Sequence, residues 1–217
     1  MSQKDKSELT KERLLNEAEV LFAQKGYDAV SVREITTVAR CNLAAVNYHF
    51  GSKRKLYLEV FRARWVPRAE RVQKHFREAL AAQGSASPTA VTQALAEAFL
   101  VGPLSDEERH RHYQLMTREL GQPTEAFELV AEQVMRPFFK GLAKTLRTAM
   151  PEGLGKERLM LNILSIFAMV LYFNFARVAV TRITGCEYDL AFKERLVEHI
   201  VEFSLNGLGG SGKEKPE

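Results

Sequence analysis

Apolar residues recur at spacings of three and four positions along most of this chain, and runs of alternating β-branched residues are absent. The first clear example is the series Leu14, Leu15, Ala18, Leu21 and Phe22, which forms one apolar face on a helix with 3.6 residues per turn. The pattern therefore predicts an all-α fold, in which helices bury such faces against one another.

Capping sequences and loop-forming residues divide the chain into about nine predicted helices. Capping boxes begin at Ser31 and Ser105, and Pro67 and Pro137 fall inside long helices, where we expect kinks. A polar tail, 207–217, is expected to fray. The predicted helices are approximately Thr10–Lys25, Val32–Ala39, Leu43–Phe50, Lys53–Ala82, Thr89–Leu100, Asp106–Leu120, Glu125–Ala149, Lys156–Thr184 and Leu190–Asn206.

Charge is distributed unevenly along the 217 residues. Residues 1–77 carry 16 Lys/Arg and 9 Asp/Glu, a net charge of +7, whereas residues 78–217 carry 15 and 18, a net charge of −3. A basic N-terminal third suggests that this part contacts a polyanion. The two cysteines, Cys41 and Cys186, are too few for a disulfide framework, and the first 12 residues lack the apolar core of a secretory signal, so we expect a cytoplasmic protein.

The segment Val30–Tyr57 carries the most informative pattern. Two short helices separated by a tight turn predict a helix-turn-helix, with the second helix suited to the major groove of DNA. Lys53, Arg54 and Lys55 open the next helix and offer positive charge to phosphates. The expected internal core of this segment consists of Ile35, Val38, Cys41, Leu43, Val46 and Phe50.

The sequence NLAAVNYHFGSKRKLY, residues 42–57, resembles the signature of TetR/AcrR transcriptional regulators, and the resemblance extends over about Thr10–Phe61. It implies a three-helix DNA-binding head at residues 1–60, an effector-binding and dimerisation body at 61–210, and a flexible tail at 211–217. The residues that it assigns to DNA contact are Arg33, Asn42, Leu43, Ala44, Ala45, Asn47, Tyr48, His49, Lys53 and Lys55. For Tyr48 and His49, packing against the fourth helix is the alternative.

One position departs from the family pattern. The turn of the helix-turn-helix usually reads Ala-Gly-Val, but here it is Ala39-Arg40-Cys41. Arg40 is therefore expected to adopt a positive φ at a cost of about 1 kcal/mol, unless the turn has another shape. An additional phosphate contact is a further role open to Arg40.

The C-terminal part is similar to the branch with a CecR-type C-terminal domain, in the segments 118–124, 136–137, 172–177 and 185–189. The resemblance implies a homodimer whose last two helices pair with their copies, which explains the uncharged run Leu159–Ala176. A two-fold dimer matches a palindromic operator. The expected interface residues are Leu164, Leu171, Phe175, Leu196, Ile200 and Phe203.

Aromatic and methionine residues of the body suggest a pocket for a small apolar effector, although each of them alone is more often core. The candidate pocket residues are Phe99, His112, Tyr113, Met116, Phe127, Met135, Phe138, Phe139, Phe167 and Phe173. With such a pocket, the resemblance to TetR/AcrR regulators implies a sequence-specific repressor that the effector releases from DNA, and activation is the alternative.

Other classes of protein fit the sequence less well. A catalytic loop or metal motif is absent, and His110 and His112 lie at i and i+2, on different sides of a helix, so we expect neither an enzyme nor a cofactor or metal. A membrane span at Leu159–Ala176 is disfavoured by its polar residues and by the lack of a second span. A helical adaptor without DNA affinity remains an alternative, and it predicts no salt-dependent DNA binding.

Overall fold

The structure is a computed structural model that describes residues 3–148 and 155–206. All regular structure in these ranges is helical, which confirms the predicted all-α class. The predicted end of a helix at Ala149 and the tail at 207–217 lie outside the described residues. The α-helices are α1 Gln3–Lys25, α2 Val32–Val38, α3 Ala44–Phe50, α4 Lys53–Val60, α5 Val66–Ala82, α6 Pro88–Leu100, α7 Asp106–Gly121, α8 Glu125–Val130, α9 Arg136–Arg147, α10 Lys156–Phe175, α11 Arg177–Thr184 and α12 Leu190–Asn206.

π-helical turns at Phe61–Trp65 and Ala131–Met135 join α4 to α5 and α8 to α9. The amide of the residue after each turn bonds to a carbonyl five positions back, Val66 to Phe61 and Arg136 to Ala131. Pro67 and Pro137 follow directly. A proline lacks an amide hydrogen and crowds the carbonyl four residues earlier, so the wider turn accommodates it while the helix continues.

The predicted single helix Lys156–Thr184 is interrupted at Ala176, where φ is −91° and ψ is 16°. The Tyr188 hydroxyl donates to the Phe173 carbonyl at 2.6 Å, and the Asn174 side chain donates to the Phe99 carbonyl at 3.3 Å. These side-chain hydrogen bonds engage the backbone close to the interruption. The prediction of one continuous helix was therefore wrong, because contacts with residues distant in sequence act on this turn.

By their internal contacts the helices form two compact units. The first unit combines Met1–Glu70 with Leu104–Arg136, and the second combines Arg71–Pro103 with Pro137–Glu217. The predicted functional domains at 1–60 and 61–210 stay a prediction, because clustering by contacts does not assign function.

The core of the first unit is built on the predicted apolar face of α1, and Leu14, Ala18 and Phe22 are fully buried in it. Leu56, Val60 and Phe61 complete this core from the segment after α3. The head thus has a hydrophobic centre within its own chain.

In the second unit α6 packs against α10 and α12. Leu100, Val170 and Ile200, one residue from each of these helices, are fully buried together. The outer side of α10 is different. The helix is long and apolar enough to span a membrane by length and composition, and only 17% of its apolar window is buried. A single such helix is weak evidence for a membrane protein, and an uncovered apolar face is equally what a partner would cover.

Candidate nucleic-acid interface

The helix α2 begins at Ser31, whose hydroxyl accepts a hydrogen bond from the Glu34 amide at 3.1 Å. Only this half of the predicted capping box forms, and the Glu34 carboxylate accepts from Lys25 Nζ at 2.6 Å. This hydrogen bond lowers the pKa of Glu34. The start of α2 is therefore tied to the C-terminus of α1.

The turn between α2 and α3 contains the expected positive φ, which is 51° at Arg40. The Arg40 amide donates to the Thr37 carbonyl at 3.1 Å, and the Cys41 amide donates to the Thr36 carbonyl at 3.0 Å. This pair of hydrogen bonds is a Schellman motif, in which the left-handed position normally favours glycine. Arg40 thus preserves the shape of the turn, and its side chain is exposed.

Asn42 lies directly before Leu43, the N-cap position of α3. Its Oδ1 accepts from the Ala44 amide at 2.9 Å, and its carbonyl accepts from the Ala45 amide at 2.9 Å. The side-chain oxygen is thereby occupied, whereas the Nδ2 group remains a donor.

The ten predicted DNA contacts are placed on the outside of the first unit, and none is buried. Ala45, His49 and Lys53 are half-buried. The exposed residues are Arg33, Asn42, Leu43, Ala44, Asn47, Tyr48 and Lys55. This exposure corrects part of the predicted internal core: Leu43 is 54% exposed and Val38 is 49% exposed, whereas Ile35 and Val46 are fully buried.

Tyr48 is 80% exposed, and its ring forms an edge contact with His49 at 4.9 Å between centroids. Its ring is therefore not buried against the fourth helix. Lys53 places Nζ 4.2 Å from the centroid of the Tyr27 ring, a cation–π contact that orients the ammonium group. Aromatic and cationic groups thus lie side by side next to α3.

Arg54 is engaged elsewhere, in a bidentate ion pair with Glu125 on α8 that includes an Nε–Oε2 distance of 2.8 Å. The hydrogen bond lowers the pKa of Glu125. Of the predicted basic cluster, Arg54 is paired with Glu125, and the phosphate contacts of Lys53 and Lys55 stay a prediction.

A buried carboxylate connects α4 to α7 and α8 within the first unit. Glu119 is 1% exposed and accepts hydrogen bonds from the Tyr57 hydroxyl at 2.5 Å, the Thr124 amide at 2.8 Å and the Phe127 amide at 3.1 Å. Burial and the hydrogen bond to Glu119 raise the pKa of Tyr57 well above its usual range. The sequence analysis missed this residue, although its spacing of four from buried Leu115 was a signal that it faces the core.

Two arginines, one on α7 and one on α5, bind further groups of α1. Arg118 Nε donates to the Ala23 carbonyl at 2.9 Å, at the C-terminal end of α1. On α5, Arg68 forms a buried ion pair with Glu19. The head therefore belongs to one hydrogen-bonded unit that extends to α7 and α8.

Two family models match this chain, one over residues 14–60, described as bacterial regulatory proteins of the tetR family, and one over residues 88–208, described as the C-terminal domain of the HTH-type transcriptional dual regulator CecR. The chain belongs to the TetR family. Its C-terminal part places it in the CecR branch, as the sequence predicted. Members of this family are DNA-binding regulators, not enzymes.

One relative and two solved structures are similar to this TetR-family regulator over most of its length. The chain is 29% identical to the HTH-type transcriptional dual regulator CecR of Shigella flexneri over 201 residues, covering 90% of this chain and 87% of that protein. A TetR-family regulator of Bordetella parapertussis shares the fold with a TM-score of 0.65 at 18% identity, covering 91% of this chain and 95% of the other. PfmR of Thermus thermophilus has a TM-score of 0.61 at 19% identity, with 90% and 98% covered.

The predicted effector residues of this TetR-family regulator fall into separate groups. Five lie in the first unit: His112, Tyr113 and Met116 are buried, and His112 stacks on Trp65 at 4.3 Å. The other two, Phe127 and Met135, pack against the same core. The remaining five lie in the second unit and are Phe99, Phe138, Phe139, Phe167 and Phe173.

Four of those five form one aromatic cluster. The ring centroid of Phe167 lies 5.1 Å from that of Phe99, 6.2 Å from that of Phe138 and 5.0 Å from that of Phe139. Phe138 also lines a cavity of about 650 Å³ between α5 and α9. The sequence analysis missed the other apolar walls of this cavity, which are Phe76, Leu80 and Leu142. Amphipathic periodicity in α5 and α9 was the available signal.

The predicted dimer residues also divide. Leu164 and Phe175 on α10 are exposed, as is Phe203 on α12, and Leu171 is half-buried. Leu196 and Ile200 are buried in the core of the same protomer against α6, so their assignment to the surface of an interface was wrong. Further exposed apolar residues, which were not among the predicted dimer residues, are Leu161, Tyr172, Val178 and Ile183.

Proposed function

We propose that this protein is a cytoplasmic homodimeric repressor that binds a palindromic operator through α2 and α3 of each protomer and leaves it when a small apolar effector binds. The observation that carries the proposal is the outward face of α3, where small and amide side chains are exposed beside Tyr48, Lys53 and Lys55. Such a face suits the major groove of B-DNA, since small side chains allow close approach to the base edges.

Within this face the roles divide by chemistry. Asn47 is exposed and pairs with an adenine, and the methyl groups of Ala44 and Ala45 contact thymine methyls. Asn42 has its side-chain oxygen bonded to the Ala44 amide, so it donates through Nδ2 to a phosphate or a single base acceptor. Arg33 and Leu43 flank the same groove, and Tyr48, His49, Lys53 and Lys55 contact the backbone.

The second copy of the chain covers the exposed apolar side of α10. Leu164 and Phe175 lie 11 residues apart, about three helical turns, and both are exposed. Phe203 extends this surface on α12. An isologous contact through these residues produces the two-fold symmetry that a palindromic operator requires.

Activation is the second candidate. The Shigella flexneri relative is named a dual regulator, which favours testing both directions of control. Placing the selected operator upstream of a reporter, with and without the protein, separates the two, since repression lowers expression and activation raises it.

The test is selection of duplexes from a random DNA pool, followed by titration of the selected sequence at several salt concentrations. We expect a palindrome whose half-sites are spaced by about one helical turn or somewhat more, and an affinity that falls steeply as salt rises. Selection of no sequence, by protein refolded to remove bound ligand, would favour the adaptor alternative.

Single substitutions then separate the two kinds of contact. Tyr48→Ala and Lys53→Ala should weaken binding to all duplexes, and Lys53→Ala should reduce the salt slope by about one. Asn47→Ala should instead change which bases are selected. The matched control is Lys74→Ala, which removes an exposed lysine of the second unit. It should change neither the DNA affinity with its salt slope nor the selected bases. If the variants at the proposed phosphate contacts and at the proposed base contact changed binding in the same way, the assignment of α3 residues to base contact would be wrong.

A further inference from the structure

We propose that the cavity between α5 and α9 binds an amphipathic organic anion, with its apolar body against Phe76 and Phe138 and its charged group at Arg77. This inference rests on the proposed function in one respect, since it identifies the chemical class of the effector. The cavity lies entirely within the second unit.

The space for a ligand depends on Gly141, in the middle of α9. A glycine inside a helix is destabilising relative to alanine by about 0.5–1 kcal/mol. A Cβ atom at position 141 would meet nothing within 4 Å, so packing does not require the glycine. Its missing side chain instead contributes to the cavity of about 650 Å³ that it lines, a volume typical of small-molecule sites.

The walls of the cavity are suited to an apolar ring or chain. Phe76 and Phe138 lie in an edge-to-face contact with centroids 5.7 Å apart, and Leu80 and Leu142 extend the apolar lining. A planar or aliphatic body replaces water against these side chains, which is the main source of affinity in such sites.

The charge of the ligand follows from the rim. Among the described residues that line the cavity, Arg77 is the only one with a formal charge. Glu78, the acidic residue next to it on α5, is directed to Lys74, with Nζ and Oε1 3.7 Å apart. A guanidinium binds carboxylates, sulfonates and phosphates through paired hydrogen bonds, so an anionic head group is favoured over a neutral or cationic one.

Occupancy of the cavity has a route to the proposed dimer surface. Phe138 is 6.2 Å from Phe167, which belongs to α10. A ligand that displaces Phe138 therefore presses on the helix that carries Leu164 and Phe175, and all of these residues belong to the second unit. Small shifts of helices at a subunit interface are a recurring way in which a ligand changes the arrangement of subunits.

Calorimetric titration of the full-length protein with matched probes tests the chemistry. Decanoate and 2-naphthoate are compared with decanamide and 2-naphthamide, and with decyltrimethylammonium. We expect at least one anion to bind, at least tenfold more tightly than its amide and than the cation. Equal binding of anion and amide, a preference for the cation, or no binding of either anion would overturn the inference.

Two variants locate the site. Arg77→Gln should remove the preference for anion over amide, whereas Lys144→Gln, an exposed cation on α9 outside the lining, should retain it. Gly141→Leu should abolish binding without lowering the melting temperature, because the added side chain enters open space and leucine favours a helix. Gly141→Ala fills less of the cavity than Gly141→Leu and should weaken anion binding by a smaller factor. Unchanged anion binding in both Gly141→Leu and Arg77→Gln would contradict the site.

DNA binding is measured separately, so that the two proposals fail independently. Ligand-free Arg77→Gln and Gly141→Leu should bind the selected operator as tightly as the parent protein. If the anion binds at this cavity but the operator is not released, the ligand inference stands and the proposed mode of regulation is wrong. If the operator is released by another compound while no anion binds, the regulation stands and this inference is wrong.

Discussion

The two compact units of the chain differ in the burial of their polar and apolar side chains. In the first unit, α1 and α4 are joined to α7 and α8 through hydrogen bonds to buried Glu119 and to the end of α1. The second unit keeps its core between α6, α10 and α12 but leaves large apolar side chains exposed on α10 and a cavity beside α9. The geometry of the head is therefore determined within one chain, whereas the second unit presents surfaces that a second copy and a ligand would complete.

The largest expected effect concerns the exposed side of α10. Leu164→Asp places a charge in the proposed interface, which should weaken dimerisation by about 4 kcal/mol, about a thousandfold in Kd. Light scattering after gel filtration should change from twice 24.6 kDa to 24.6 kDa. Leu9→Asp, at a similarly exposed leucine of α1, is the control and should remain dimeric. A dimeric Leu164→Asp protein would show that the partner covers another surface.

The next effect tests the polar core of the first unit. Glu119→Ala leaves buried donors at Tyr57, Thr124 and Phe127 without their acceptor, and it should lower the free energy of unfolding by about 3 kcal/mol. Urea denaturation measures this loss. Glu128→Ala, an exposed carboxylate on neighbouring α8, should change stability by no more than about 0.5 kcal/mol. Comparable losses in the two variants would mean that the buried network does not hold the head.

The raised pKa of Tyr57 predicts a dependence of stability on alkaline pH. The folded phenol stays protonated while the unfolded one ionises at its ordinary pKa, about 10. The stabilisation is therefore complete below pH 10, and above it stability should fall by about 1.4 kcal/mol per pH unit from this group. Urea unfolding of the parent and of Tyr57→Phe between pH 8 and pH 11 isolates the contribution. Parallel slopes in the two proteins would contradict it.

The smallest expected effect lies at the turn between α2 and α3. Arg40→Gly removes the strain of a positive φ at a side-chain-bearing residue and should stabilise the protein by about 1 kcal/mol. The melting temperature and the DNA affinity are measured together. Gly26→Ala is the opposite control, since Gly26 has a φ of 84° and an added Cβ lies 3.1 Å from Arg118, so this change should destabilise. A rise in stability together with weaker binding would reveal a phosphate contact made by Arg40.

Local features of the fold were predictable from the sequence because short-range physics controls them. The caps at Ser31 and Ser105 and the positive φ at Arg40 each involve groups within five residues of one another. The same range explains why the helix-turn-helix was recognisable. The ten residues assigned to DNA contact are all at least partly accessible in the structure, and their individual roles stay predictions.

The errors have a common origin in contacts between distant parts of the chain. Leu164 and Leu196 were both predicted to lie at the dimer interface, yet one is exposed and the other is buried against α6. The break at Ala176 follows two long-range hydrogen bonds. The Tyr188 hydroxyl donates to the Phe173 carbonyl, and the Asn174 side chain donates to the Phe99 carbonyl. Periodicity identifies the apolar side of a helix but not which neighbour covers it.

The sequence by itself therefore determined the helices, their caps and the family, since these follow from residue types at short separations. Only the tertiary structure decided that Glu119 is a buried acceptor, that Arg54 pairs with Glu125, and that α5 and α9 line a common cavity. Burial and the pairing of charges depend on which side chains are brought together from 50 or more residues away, and that information is not present in any one segment.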